Sequence, residues 1–167
     1  HEGTLIRRIT RHGAGVRALT PITTIDAAHV MLATNAYPPL LRRLQQRFVP
    51  IFDHVLVTEP LSESQRSAIG WTERQGLTDI GNQFHYVRPT PDGRILWGGY
   101  DANYYRGNRT DEALEDRMAS YELLAQQFQS TFPALEGIRF THRWAGLIDS
   151  TSRSSLAMTP SAPGSPW

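Results

Sequence analysis

The sequence predicts an α+β fold, a mixed or antiparallel β-sheet with flanking helices. Residues 81–101 hold two aromatic-rich runs joined by the turn residues Pro89 to Gly93, the composition of a β-hairpin with a five-residue loop. Leu114, Met118, Tyr121, Leu124, Ala125 and Phe128 recur at spacings of three and four, as on one face of a helix, and Pro133 stops the run. Short strand-like runs occupy residues 4–32 and 138–148.

In chain order, residues 4–9, 16–20, 22–25 and 29–32 read as strands, with Gly13 and Gly15 supplying the first turn. Val30 to Ala33 is a continuous apolar run, the pattern of a strand covered on both faces. Asn35 is placed to cap a helix over 39–47, with the prolines in its first turn, Leu40, Leu41 and Leu44 inward and Arg42 and Arg43 in solvent. Residues 49–58 are rich in β-branched side chains and read as a strand. Ser62-Glu-Ser-Gln65 is a capping box opening a short helix that Gly70 ends. Residues 71–80 are irregular or a short strand. Thr110 caps the long helix, with Asp111 and Glu112 in its first turn, where they suit the helix dipole. From Ser150 onward the sequence turns Ser/Thr/Pro-rich and loses its pattern.

At 167 residues the chain can bury a core, as one domain or one domain and part of another. Seventeen basic and 16 acidic residues nearly cancel, so neither nucleic acid nor a charged membrane surface is implied as a partner. All 17 basic residues are arginine, which removes lysine-based mechanisms. Cysteine is absent, so there is no disulfide, thiolate nucleophile or cysteine-ligated metal, and the composition suits the cytoplasm. No apolar run reaches the length of a membrane span. The six histidines, at 1, 12, 29, 54, 85 and 142, lack metal-ligand spacing. There is no Gly-x-Ser-x-Gly elbow and no Walker loop, and Gly13-Ala-Gly15 is not a dinucleotide fingerprint, because no helix follows it.

Within the hairpin, pairing Arg88 with Arg94 sets Val87 against Ile95, His85 against Trp97 and Gln83 against Gly99, with Asp101 continuing that face. Phe84, Tyr86, Leu96 and Tyr100 take the other. The first face mixes an aromatic with titratable groups and is the candidate wall of a small-molecule cavity. Gly98 and Gly99 after Trp97, and Gly146 after Trp144, leave room for something flat to approach a sheet. A strand histidine among aromatics also fits a hydrogen-bonded core or surface position. Residue chemistry alone names no reaction.

Three stretches in order resemble one family. Ala27-Ala-His-Val-Met-Leu-Ala-Thr-Asn-Ala-Tyr37 is similar to the segment by which FAD-dependent oxidoreductases of the D-amino-acid oxidase/glycine oxidase type return to the flavin domain. Val49-Pro-Ile-Phe-Asp-His-Val-Leu-Val-Thr-Glu-Pro60 resembles the strand that then leaves for the substrate domain. Residues 81–101, with His142-Arg-Trp-Ala-Gly146, resemble that domain's sheet in the γ-glutamylputrescine oxidase-like subgroup. The resemblance implies partial strands of a Rossmann-like FAD-binding domain over 1–37 and a substrate-binding domain over 38–149. It leaves 150–167 as an irregular tail that departs from the family after Arg153, as a truncation or frameshift would. It implies FAD as cofactor of the complete protein and oxidation of an amine or amino-acid C–N bond to an imine. Ala33, Thr34 and Asn35 would lie by FAD. His85 and Asp101 would be catalytic, and Tyr86, Trp97, Tyr100 and Trp144 would bind a small-molecule amine or amino-acid substrate. In sarcosine-oxidase-like relatives a lysine near the position of Trp97 promotes reaction with oxygen; this chain has none. The family's Gly-x-Gly-x-x-Gly and its C-terminal glycine-rich segment are absent, so the chain reads as an internal fragment, with a non-catalytic ligand- or partner-binding domain as the alternative.

Overall fold

The computed structural model describes residues 2–37, 47–99 and 101–151. The chain forms two compact units, His1–Val49 with Asp149–Trp167, and Pro50–Ile148. Among the described residues no helix is long and apolar enough to cross a membrane.

The first unit holds an antiparallel meander of β1 (Arg8–His12), β2 (Gly15–Leu19) and β3 (Thr24–Ala27). His12 pairs with Gly15, so Gly13 and Ala14 form a two-residue hairpin loop. Arg17 on the central strand reaches Asp26 through two hydrogen bonds of 2.6 and 2.7 Å. Residues 29–34 form no strand, contrary to the sequence pattern, and Met31 is 78% exposed. An apolar run becomes a strand only when neighbours take its N–H and C=O groups. No described strand pairs with this one. The helix expected over 39–47 and the tail from 152 lie outside the described residues.

The second unit is built on a five-stranded sheet in the order β5-β6-β7-β4-β8. Its strands are β4 (Phe48–Thr58), β5 (Leu77–Thr78), β6 (His85–Pro89), β7 (Ile95–Gly99) and β8 (Phe140–Thr151). β8 therefore carries regular structure past Ser150, where the sequence suggested an irregular tail. The end of β4 meets the start of β8, where the Glu59 N–H donates to the Arg139 carbonyl. Arg94 ties the hairpin loop to both strands, donating to Thr58 O at 3.1 Å and Thr141 Oγ1 at 2.8 Å.

Helix α1 (Glu63–Ile69) has the expected capping box: Ser62 Oγ accepts from Gln65 N, and Gln65 Oε1 accepts from Ser62 N. Gly70 ends it in the left-handed region at φ 63°. The long helix α2 runs Met118–Thr131, not from Thr110. Residues Glu112–Leu114 make only a 3-10 turn, and Arg117, at φ −87° and ψ 98°, is the N-cap residue. Asp101 overrides the local signal at Thr110 by gathering Arg117 and Ser120 at the helix start. The predicted apolar stripe holds where it matters. Tyr121, Leu124 and Phe128 are buried, and they join Leu56, Leu61, Val87, Ile95, Trp97, Leu135 and Ile138 in one core. Each such side chain contributes on the order of 1.5–3 kcal/mol by leaving water.

Candidate active site

The hairpin is present, but its register differs from the sequence reading by two residues. Pro89 pairs with Ile95, Arg88 with Leu96, Val87 with Trp97, Tyr86 with Gly98 and His85 with Gly99. The loop is closed by Thr90 N–H to Arg94 O at 2.9 Å and by Arg94 N–H to Thr90 Oγ1 at 3.0 Å. These local bonds place the loop one residue further along each strand. A shift of two leaves each side chain on its original face.

The pairings of β4 with β7 extend both faces, with Leu56 beside Trp97 and Val55 beside Gly98. One face therefore carries His85, Val87, Ile95, Trp97, Leu56 and His54. This is the face that α2 covers, so the proposed cavity wall is the core side of the sheet. Trp97 is 2% exposed, donates Nε1–H to Leu124 O at 3.1 Å, and meets Phe128 edge-on at 5.7 Å. His85 stacks on Trp97 at 4.3 Å and bridges Asp79 Oδ2, 2.7 Å from Nδ1, and Gln127 Oε1, 3.0 Å from Nε2. It fastens the hairpin to α2 and has no ring nitrogen left for a substrate.

Asp101 is equally engaged. Its Oδ2 accepts from Ser120 Oγ at 2.6 Å, Asn103 Nδ2 at 2.9 Å and Arg117 Nη1 at 2.9 Å. Burial works against its charge, but the hydrogen bonds and Arg117 prevail and hold its pKa below the usual carboxylate value. An ionised carboxylate at a helix N-terminus is a stabilising arrangement. Behind it lies His54, fully buried, with its ring edge-on to Tyr121 at 5.1 Å. Desolvation lowers the His54 pKa despite the opposing pull of the Asp101 carboxylate.

The opposite face carries Asp53, Val55, Val57, Tyr86, Leu96 and Gly98, by the same register. Tyr86 lies across Gly98 and donates its hydroxyl to Asp53 Oδ2 at 2.5 Å, spanning the intervening strand β7. A Cβ on Gly98 would stand 2.5 Å from Tyr86 Cζ and Oη, so only glycine admits the ring there. Desolvation raises the Asp53 pKa, against the hydrogen bond from Tyr86. Desolvation first, then the Asp53 carboxylate, push the Tyr86 phenol far above its ordinary value. Asp53 was missed in the sequence, although an aspartate inside a β-branched run is itself unusual.

Trp144, on the outer strand β8, is 44% exposed. Tyr100 lies outside the described residues. Ala33, Thr34 and Asn35 are exposed; Asn35 adopts φ 51° and accepts the Asp149 N–H through Oδ1 at 3.0 Å. The structure thus does not bring the expected catalytic and substrate-binding side chains together on one open face. Nor do the described residues make a complete FAD site. Neither α1 nor α2 opens with a glycine-rich phosphate cradle. No group of three or more metal-ligating side chains occurs among the described residues.

The model of the FAD dependent oxidoreductase family (DAO) matches residues 1–164. The probable oxidoreductase OrdL of Haemophilus influenzae is 24% identical over 159 residues, covering 92% of this chain and 33% of that protein. Gamma-glutamylputrescine oxidoreductase of Escherichia coli K12 is 31% identical over 125 residues, covering 73% of this chain and 27% of its own length. The chain thus spans about a third of the length of the curated relatives it matches. Among solved structures, L-proline dehydrogenase from P. horikoshii superimposes with a TM-score of 0.74 at 18% identity, over 95% of this chain and 41% of that one. Glycine oxidase from Geobacillus kaustophilus gives 0.67 at 16% identity, over 93% and 38%. At these identities the structural likeness is one of fold.

Proposed function

Because the chain belongs to the DAO family of FAD-dependent oxidoreductases, we propose that it is part of an enzyme that oxidises the C–N bond of an amine or amino acid to an imine. The family match over 1–164 carries this reading. It is supported by the relatives' own names, which specify γ-glutamylputrescine, L-proline and glycine. All three compounds carry a nitrogen beside a carbon that bears hydrogen. FAD, bound by the complete protein, supplies the redox chemistry; the polypeptide's share is to bind the substrate, orient it and exclude water.

We assign the unit Pro50–Ile148 to the substrate domain and the unit containing the meander to the FAD domain. Ala33, Thr34 and Asn35 belong at the cofactor's edge in this reading, through backbone groups and the Asn35 amide. Within the substrate domain, the face of Tyr86 takes the substrate side, because the opposite face is filled by α2. Tyr86 and Trp144 remain as substrate contacts. His85, Trp97 and Asp101 become the scaffold that holds the sheet to its helix. A cytoplasmic location suits a cysteine-free chain.

The test is anaerobic reduction of the flavin in the purified parent-length protein by a panel of amines and amino acids. Bleaching of the oxidised flavin band by at least one of them is expected. A protein that carries flavin, is reduced by dithionite, and stays oxidised with every amine and amino acid would refute the reading.

A further inference from the structure

We propose that Asp53 receives the ammonium group of the substrate, which makes a cationic amine the class of compound this sheet face takes. The inference rests on the functional reading above and adds to it a residue and a charge state. Four acidic side chains stand around the hairpin, and three are already satisfied; Asp92, in its loop, accepts from Thr90 Oγ1 and Arg94 Nε. Asp101 has three donors, including Arg117. Asp79 has the His85 ring and two backbone N–H groups, those of Gly81 and His85. Asp53 has a single donor among the described residues, the neutral phenol of Tyr86. No described cation pairs with it.

Its setting is that of a prepared site. Asp53 stands in β4 between Phe52 and His54, each wholly buried, so its backbone is fixed. Tyr86, pinned over Gly98, occupies Oδ2 and fixes the orientation of the carboxylate. Oδ1 has no hydrogen bond among the described residues and is not among the atoms sealed from solvent without a partner. That oxygen is open to a donor. A partly buried carboxylate without a cation is costly, and an incoming ammonium offsets that cost where a neutral group of the same shape does not. Desolvation by burial raises its pKa, and the Tyr86 hydrogen bond only partly offsets that rise. Alkyl amines are mainly protonated in neutral water, so the species that arrives carries the complementary charge.

The experiment uses the flavin-loaded parent-length protein, with n-butylammonium and the similarly shaped neutral n-butanol as probes in isothermal titration. The wild type should prefer the ammonium by about tenfold or more, as expected of a charge-assisted hydrogen bond. Asp53→Asn still accepts the Tyr86 hydroxyl; it should lose that preference while n-butanol affinity, flavin content and melting temperature stay unchanged. An unchanged ammonium preference in Asp53→Asn overturns the proposal. Should that variant lose its flavin, an unchanged ammonium preference in Asp53→Ser overturns it instead. The two readings separate cleanly. Wild-type flavin that no amine or amino acid reduces defeats the functional reading. Flavin reduced by amines with unaltered KM in Asp53→Asn leaves that reading standing and removes Asp53 from it.

Discussion

Replacing Gly98 with alanine tests the geometry of the Tyr86 face directly. The new Cβ would stand 2.5 Å from Tyr86 Cζ and Oη and 2.8 Å from Cε2. Ordinary carbon contacts lie near 3.5–4.0 Å, so the ring must retreat by about 1 Å. It cannot do so and keep its bond to Asp53, because that bond is already 2.5 Å long and would stretch to about 3.5 Å. The loss comprises one hydrogen bond to a carboxylate, about 1.5–3 kcal/mol, discounted because both partners keep some access to water. Overpacking on the strand adds to it. A net destabilisation of about 2 kcal/mol is expected in equilibrium urea unfolding. Gly146→Ala is the control, since nothing stands within 4 Å of its Cβ position; it should change stability by less than about 0.5 kcal/mol. In a Tyr86→Phe background the hydrogen bond is already gone and the ring can swing aside, so Gly98→Ala should cost about 1 kcal/mol less. Equal costs in the two backgrounds, or a Gly98→Ala protein as stable as wild type, would refute the strap across β7.

The remaining predictions concern charge and cofactor. The His54 pKa is depressed in the folded protein from 6.5, so the unfolded chain binds the proton first as pH falls. Stability should then decline below pH 6.5 with a limiting slope of about 1.4 kcal/mol per pH unit, and His54→Leu should flatten that decline in urea midpoints measured from pH 7 to 5. The Asp101 pKa is lowered, so its contribution is present above the ordinary carboxylate range and is lost as pH falls through the folded value. Asp101→Asn should destabilise the protein by about 1–3 kcal/mol at pH 7, with a fraying start of α2 seen as faster amide exchange at Ser120 and Tyr121. The 167-residue chain purified alone should show no flavin band near about 450 nm, since the glycine-rich pyrophosphate segment is not in its sequence.

Much of the local structure was legible. The capping box at Ser62, the left-handed stop at Gly70 and the buried stripe of Tyr121, Leu124 and Phe128 are written within single turns of the chain. Local signals failed where a distant partner decided the matter. Thr110 is well placed as a cap by its neighbours, yet α2 begins at Met118, because Asp101 reaches Ser120 from another part of the chain. Val30 to Ala33 has strand composition and no described strand to pair with. Composition sets the readiness of a segment to pair, whereas the partner lies elsewhere.

The hairpin shows the same limit in a form that alters the functional argument. Its faces could be sorted from alternation alone, and a register shift of two residues left them sorted. What alternation cannot say is which face the helix covers. Both faces carry aromatics, and the side with titratable groups looked the more suited to a ligand. Yet an imidazole and a carboxylate are also good fasteners when a helix supplies partners. His85 finds Gln127 of α2, and Asp101 finds Ser120 and Arg117 at its start. Polar groups used in this way are spent on holding the fold. The group with chemistry to spare is the carboxylate whose described partner is a single neutral hydroxyl, and that is Asp53, on the face that α2 leaves alone.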